Sequence, residues 1–352
     1  MAALPPPPQR KKIPGEEKTV YERLRYISSN TEYVIGMAEL KSKMERGKAM
    51  RGYWGIAPIK NPSIEIIIPL IKVRDLINAG FQMNVLIADL HAFLDKGSHW
   101  IDRTDEHVAY HILLIKAILR SFGINENQYE IVRGRDHQLD KQYILDVFKM
   151  LTYVTVNQSI RAGSEIIRQK NDPYISNLLY PIMQAVDETV MDADVEIGGT
   201  DQLKIFSLAR NKIPYLGYEK CSYVVTELLS SLQPVNMRSL SILGYINFTD
   251  SKEAIWKKLK FSPCEEGESK DNACLELARL IVYPAGKKLK SFDTYYELEV
   301  EWEKGIIYAL ELKSWLTDAL DEIIDPVRRV VYSNIHLYNN AYTNVEVTCK
   351  KN

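Results

Sequence analysis

Tyr180, Gln184 and Asp187 stand four and then three residues apart, a spacing that places side chains on one face of a helix. A phenol, an amide and a carboxylate in one row can hold a small polar ligand through several hydrogen bonds. The same residues can equally be polar groups packed at a seam between helix and sheet. Further on, Asp201 and Gln202 follow Gly198-Gly199-Thr200; an acidic residue at a strand end can accept from ribose hydroxyls in doubly wound folds. Metal chemistry has less support. No two of His91, His99, His107, His111, His137 and His336 form a His-x-x-His pair, and Cys221, Cys264, Cys274 and Cys349 contain no C-x-x-C pair. Reduced thiols are expected rather than a zinc site or disulfides, although Cys264 and Cys274 could be joined on paper. No metal is assigned.

The 352 residues are 46% hydrophobic and 26% charged, with a net charge of -1. That is the composition of a soluble globular chain long enough for two domains, or for one large domain with a helical appendage. No global field draws it to DNA or an anionic membrane, so any RNA contact needs a local basic surface. Lys257-Lys258-Leu259-Lys260 and Lys287-Lys288-Leu289-Lys290 could meet phosphates or be solvated helix faces. Met1–Lys12 holds a Pro5–Pro8 run and Arg10-Lys11-Lys12 but no apolar core. It reads as a disordered tail over 1–16 rather than a leader. Apolar runs such as Ile64–Ile71 are too short to span a bilayer. A cytoplasmic location is expected.

The elements that must position the polar row follow from periodicity. Residues 17–50 read as charged and helix-like, with a loose stripe of Leu24, Ile27, Tyr33, Val34 and Met37. Residues 51–57 predict a short strand, Leu70–Ala79 a helix ending at Gly80, and Met83–Ala88 a buried parallel strand. Val108, Ile112, Ile115 and Leu119 predict a helix over Thr104–Ser121 closed by Gly123, and Tyr129–Val132 the next strand. Residues 139–192 read as helical with breaks at Asn171–Pro173 and Pro181. Residues 251–340 read as helical apart from an extended stretch near Tyr295–Val300. Alternating strands and helices predict an α/β doubly wound parallel sheet with ligands at the carboxyl ends of the strands. Gln233-Pro234 and Gly244 break periodicity between 231 and 250.

Several separated blocks, in order and at matching spacing, resemble eukaryotic-type tyrosyl-tRNA synthetases. They are Tyr53-Trp54-Gly55, Ile87-Ala88-Asp89-Leu90-His91-Ala92, Gly134 to Leu139, Tyr180 to Glu188, Gly198-Gly199-Thr200-Asp201-Gln202, and Asp325-Pro326-Val327-Arg328. Together they span roughly residues 50–330. The resemblance implies a class I Rossmann-like sheet with a helical insertion at about 139–192, within a tyrosine- and nucleotide-binding domain at 17–232. A signature loop at 233–250, a mostly helical anticodon-binding-like domain at 251–340 and a tail at 341–352 follow. It implies that Tyr53 and Asp187 hold a tyrosine phenol, that Tyr180 and Gln184 meet the α-ammonium, and that Gln202 closes the pocket. A buried carboxylate facing a phenol would reject phenylalanine, which leaves that carboxylate unpaired. Gly55, Gly199 and Asp201 match the nucleotide and ribose positions.

The phosphate-handling signatures depart from the family pattern. Where His-x-Gly-His, or a His-Val-Ala-Tyr-like eukaryotic form, is usual after Pro62, the chain has Ser63-Ile64-Glu65-Ile66. Ile56 stands where threonine is usual and Lys60 where glycine is usual. The Lys-Met-Ser-Lys-Ser loop is matched by Asn236-Met237-Arg238-Ser239-Leu240. Arg238 keeps a positive charge one position before the second lysine. No catalytic residue is carried over at Ser63, Ile66, Asn236 or Arg238. ATP is the family's co-substrate, but these positions argue against it, and no cofactor is assigned. The anticodon-stacking insertion is reduced to Lys290–Tyr295, leaving Phe292, Tyr295 and Tyr296 as stacking or packing aromatics.

The resulting expectation is a pseudo-synthetase, or repurposed protein, that binds L-tyrosine or a tyrosine-like molecule as a homodimer with weakened tRNA contact. Two alternatives stay open. One is an active ligase with Lys60 and Arg238 compensating. The other is an enzyme that reuses the pocket on tyrosine or tyrosyl-tRNA without ATP.

Overall fold

The computed structural model describes residues 17–97, 100, 104–166, 172–229, 232 and 244–343. The first helix, α1 (Val20–Ser28), opens on a capping box. The Glu22 amide donates to Thr19 Oγ1 at 3.2 Å and the Thr19 amide to Glu22 Oε2 at 2.8 Å. Its carboxyl end is met by the buried Lys72, whose ammonium donates to the carbonyls of Tyr26, Ile27 and Ser29. Burial pushes that ammonium down to about 8.

Strand β1 (Tyr33–Ile35) and helix α2 (Met37–Glu45) follow. The single helical stripe expected over 17–50 is therefore interrupted. Tyr33 and Val34 pair with Val225 and Val224 across a sheet edge, a long-range contact that helical spacing cannot reveal. Next come β2 (Met50–Ile56), α3 (Ile67–Asn78) and β3 (Phe81–Ile87). Gly80, at φ 82°, takes the left-handed conformation that stops α3. That helix begins three residues before Leu70, because Ile67 and Ile68 are buried with the rest of its apolar face.

Helices α4 (Asp89–Lys96) and α5 (Thr104–Ser121) lead to β4 (Tyr129–Arg133). The helical segment then runs through α6 (Gly134–Gln138), α7 (Lys141–Tyr153), α8 (Val156–Gly163) and α9 (Ile175–Val190). Pro181 does not break α9. A proline inside a helix costs about 3 kcal/mol or more, and here burial of Ile182, Met183, Ala185 and Val186 against the sheet offsets it. Strand β5 (Val195–Gly199), α10 (Leu203–Lys212) and β6 (Ser222–Thr226) complete the sheet.

The strand order is β1-β6-β5-β2-β3-β4. Every pairing is parallel except β1 with β6. This is the expected α/β doubly wound sheet. The chain runs outward from β2 through β3 and β4, then returns to the other side with β5 and β6. The β2–β5 boundary is thus the switch point, where such sheets open a crevice at the carboxyl ends of their strands.

The remaining helices are α11 (Lys252–Lys260), α12 (Ala273–Leu277), α13 (Tyr295–Glu303), α14 (Ala309–Ser333) and α15 (Ile335–Tyr342). The stretch expected to be extended near Tyr295–Val300 is the helix α13. Thr294 and Glu297 form its capping box, and Leu298 and Trp302, one turn apart, bury its inner face. The apolar core runs without interruption from the sheet's helices into α14. Arg74 donates to the Pro284 carbonyl at 2.9 Å, and Arg279 makes a forked pair with Glu227. No described helix is long and apolar enough to cross a membrane.

Candidate functional site

A cavity of about 450 Å³ opens at the carboxyl ends of β2 and β5. The structure brings Tyr53, Tyr180, Gln184, Asp187 and Gln202 into its wall, together with Gly55, Gly199 and Asp201. Tyr53 comes from β2; Tyr180, Gln184 and Asp187 share one face of α9; Gln202 follows β5. Ser63 and Ile66 also line the cavity, whereas Asn236 and Arg238 lie outside the described residues.

The inner end is a polar network around Asp187. Its Oδ1 accepts from Gln138 Nε2 at 2.8 Å and from Tyr143 Oη at 2.9 Å. Tyr143 also reaches the Met183 carbonyl at 3.0 Å. His91 Nε2 stands 3.7 Å from Asp187 Oδ2, and burial lowers the His91 pKa, which favours the neutral ring. The same ring packs edge-on against Tyr180, centroids 4.6 Å apart. Gln138, Tyr143 and His91 thus set the carboxylate's orientation, one oxygen saturated and the other turned to the neutral imidazole.

Gln184 Nε2 donates to Gln202 Oε1 at 2.9 Å and to Glu196 Oε1 at 3.1 Å. Glu196 faces Tyr53 across the β2–β5 register and is fully buried. Burial, with the nearby Asp187 charge, raises its carboxyl pKa to about 8. Glu188 lies behind it and is pushed well above the carboxylate range by burial and by Glu196, its Oε1 accepting from Tyr223 Oη at 2.7 Å.

Several buried polar atoms here have no hydrogen-bond partner of acceptable geometry: Tyr53 Oη, His91 Nε2, Asp201 Oδ1 and both ring nitrogens of His137. Glu196 lies close to Tyr53 Oη, and burial together with Glu196, Glu188 and Asp187 drives that hydroxyl's pKa well up. Buried polar groups are normally satisfied, so this concentration marks a place where a polar ligand would complete the network.

The outer end differs. Ser63 is 5% exposed, and its hydroxyl donates to Glu65 Oε2 at 3.2 Å. Its backbone bridges to Asn247, and the Ile64 amide donates to the Ile246 carbonyl at 2.8 Å. Lys60 Nζ lies 3.7 Å from Glu65 and over the Tyr245 ring at 5.4 Å, while its carbonyl accepts from Tyr342 Oη at 3.0 Å. Ile66 is buried. Of the described residues that line the cavity, Glu65, Asp187, Glu196, Asp201 and Glu227 carry carboxyl groups, and Lys60 is the lysine or arginine that faces them.

Sequence reading gave a ligand role to Tyr53, Tyr180, Gln184, Asp187 and Gln202 but none to Glu196, Glu188, Gln138 or Tyr143. Gln138 and Glu188 stood inside quoted blocks without a role, and Tyr143 fell inside a helical stretch with no spacing relation to Asp187. Glu196 was readable only as a polar residue between apolar neighbours in Val195–Ile197, a pattern that also fits a solvent-facing strand position.

The class I synthetase fold defined by this sheet and crevice agrees with the comparisons. The family of class I tRNA synthetases for tryptophan and tyrosine matches residues 44–325. The chain is 33% identical over 338 residues to a probable cytoplasmic tyrosine–tRNA ligase of Encephalitozoon cuniculi, covering 92% of this chain and 99% of that protein. It is also 33% identical over 337 residues to a tyrosine–tRNA ligase of Natronomonas pharaonis, covering 91% and 97%. The crystal structure of Archaeoglobus fulgidus tyrosyl-tRNA synthetase complexed with L-tyrosine superposes with a TM-score of 0.82 at 30% identity, covering 89% of this chain and all of that one. The chain belongs to the tyrosyl-tRNA synthetase family.

Proposed function

We propose that this family member binds L-tyrosine, or a closely related aromatic amino acid, and has lost ATP-dependent activation of it. In this reading the phenol meets Tyr53 and Asp187, the α-ammonium meets Tyr180 and Gln184, and Gln202 closes the site. One observation carries the reading: the inner cavity is a buried polar network short of partners, while the signature segment beside it offers carboxylates and a serine in place of phosphate donors. Removing one preorganised donor to a developing oxyanion costs roughly two to three orders of magnitude in rate. Losses at both signatures amount to about four orders or more, although losses within one unit do not simply add.

Titration calorimetry with L-tyrosine, paired with tyrosine-dependent ATP–pyrophosphate exchange, tests the reading. Tyrosine binding without exchange is the expected result. The names of the relatives favour a second reading, an active ligase in which Lys60 and Arg238 replace the usual groups, and exchange at an ordinary family rate would establish it. A cytoplasmic homodimer with weakened tRNA contact belongs to the same proposal. It is supported by the exposed Leu145, Phe148, Leu151, Val156, Tyr174 and Ile175 on the insertion helices and their flanks. The 251–340 helices would be the remnant of an anticodon-binding domain.

A further inference from the structure

Glu196 has no task in the scheme above. A tyrosine phenol needs one acceptor and one neighbouring hydroxyl, and Asp187 and Tyr53 supply both. Yet a second carboxyl group, 2% exposed, sits on the same cavity wall beside Tyr53 Oη. One of its oxygens takes the Gln184 amide at 3.1 Å, and no lysine or arginine lines this inner end. Glu196 is paired in register with Tyr53 across β2 and β5, and both line the cavity with Asp187. Gln184 holds Glu196 in place, with Tyr53 and Glu188 beside it, so a ligand donor reaching this wall meets an acceptor that is already ordered.

Resting on the tyrosine-pocket reading, we propose that Glu196 is a specificity-determining residue: it hydrogen-bonds a second donor next to the ligand's phenol, so the preferred ligand is a 3-substituted tyrosine of the catechol or aminophenol class. Asp187 and Glu196 then flank Tyr53 as two acceptors, one for each of two adjacent ring substituents. A hydrogen bond between neutral groups is worth about 0.5–1.5 kcal/mol, which corresponds to roughly two- to tenfold in affinity.

The test is calorimetric titration of the full chain with four probes: L-tyrosine, 3-hydroxy-L-tyrosine, 3-amino-L-tyrosine and 3-methoxy-L-tyrosine. The last fills similar space without the donor. The hydroxy and amino compounds are expected to bind about two- to tenfold tighter than tyrosine, and the methoxy compound no tighter. In Glu196→Ala the preference should collapse while tyrosine still binds; Glu196→Gln, which keeps an acceptor for Gln184, serves if the alanine variant does not fold. Equal or tighter binding of tyrosine by the wild-type chain overturns the proposal and leaves the pocket reading standing. So does a preference that survives both substitutions, or one that the methoxy compound shares. Failure of all four probes to bind overturns the pocket reading itself.

Discussion

The two ends of the cavity are built from adjacent stretches of the same strand and loop, yet they follow opposite rules. At the inner end, Asp187 is oriented by Gln138 and Tyr143, His91 Nε2 has no hydrogen-bond partner, and Tyr53 Oη lies beside the Glu196 carboxyl. At the outer end, Ser63 is engaged with Glu65, Lys60 with Glu65 and Tyr245, and the backbone of Ser63 and Ile64 with Asn247 and Ile246, while Asn61 Oδ1 and, on the ribose side, Asp201 Oδ1 are buried without a partner. A region kept for a ligand retains unmet polar groups, at a cost in stability. In the proposed reading, the inner end is the part kept for a ligand and the outer end the part that has lost its phosphate chemistry.

The largest effect that could break the comparison concerns ATP. Exchange driven by tyrosine should run about four orders of magnitude or more below an ordinary family rate. Ser63→His alone should not restore it, because Lys60, Glu65 and Ile66 remain; restoration by that single change would show the outer end to be intact. Next comes Asp187→Ala. Its removal takes away the ligand's phenol acceptor and leaves the Gln138 amide without that acceptor and the Tyr143 hydroxyl with the Met183 carbonyl alone, so tyrosine affinity should fall by about a hundredfold. Stability should fall by about 1–3 kcal/mol, measured by urea titration. Unchanged affinity would remove the inner end from ligand binding.

A pH effect of intermediate size follows from Glu196. Its native pKa, about 8, lies above its unfolded value near 4.5. The native state therefore holds more protons between those values, and stability falls as pH rises from about 4.5 to 8. In calorimetric scans of the unliganded chain this should lower Tm by a few degrees over that window. Glu196→Gln should flatten the slope. The smallest effect belongs to the outer end. Glu65→Gln weakens a 3.7 Å pair whose lysine is 68% exposed, so it should change stability by less than about 1 kcal/mol and leave tyrosine affinity as it was. A large loss of affinity there would dissolve the contrast between the two ends.

Much of this was legible in the order of residues. The four-and-three spacing of Tyr180, Gln184 and Asp187 fixed a shared helix face, because helical geometry is local. The alternation of buried runs with amphipathic helices fixed a doubly wound sheet, and the departures at Ser63–Ile66 are matters of residue type alone. Other features depended on partners far along the chain. Tyr33 and Val34 form a strand because β6 offers an edge. Pro181 stays inside a helix because its neighbours are buried. Residues 295–300 are helical because Leu298 and Trp302 find a core. Above all, tertiary structure set Glu196 against Tyr53, and Gln138 and Tyr143 on Asp187. Sequence determines which groups a chain owns and which face of an element they share; only the packing of β2 against β5 decides which of them are buried together, and so which still need a partner from outside.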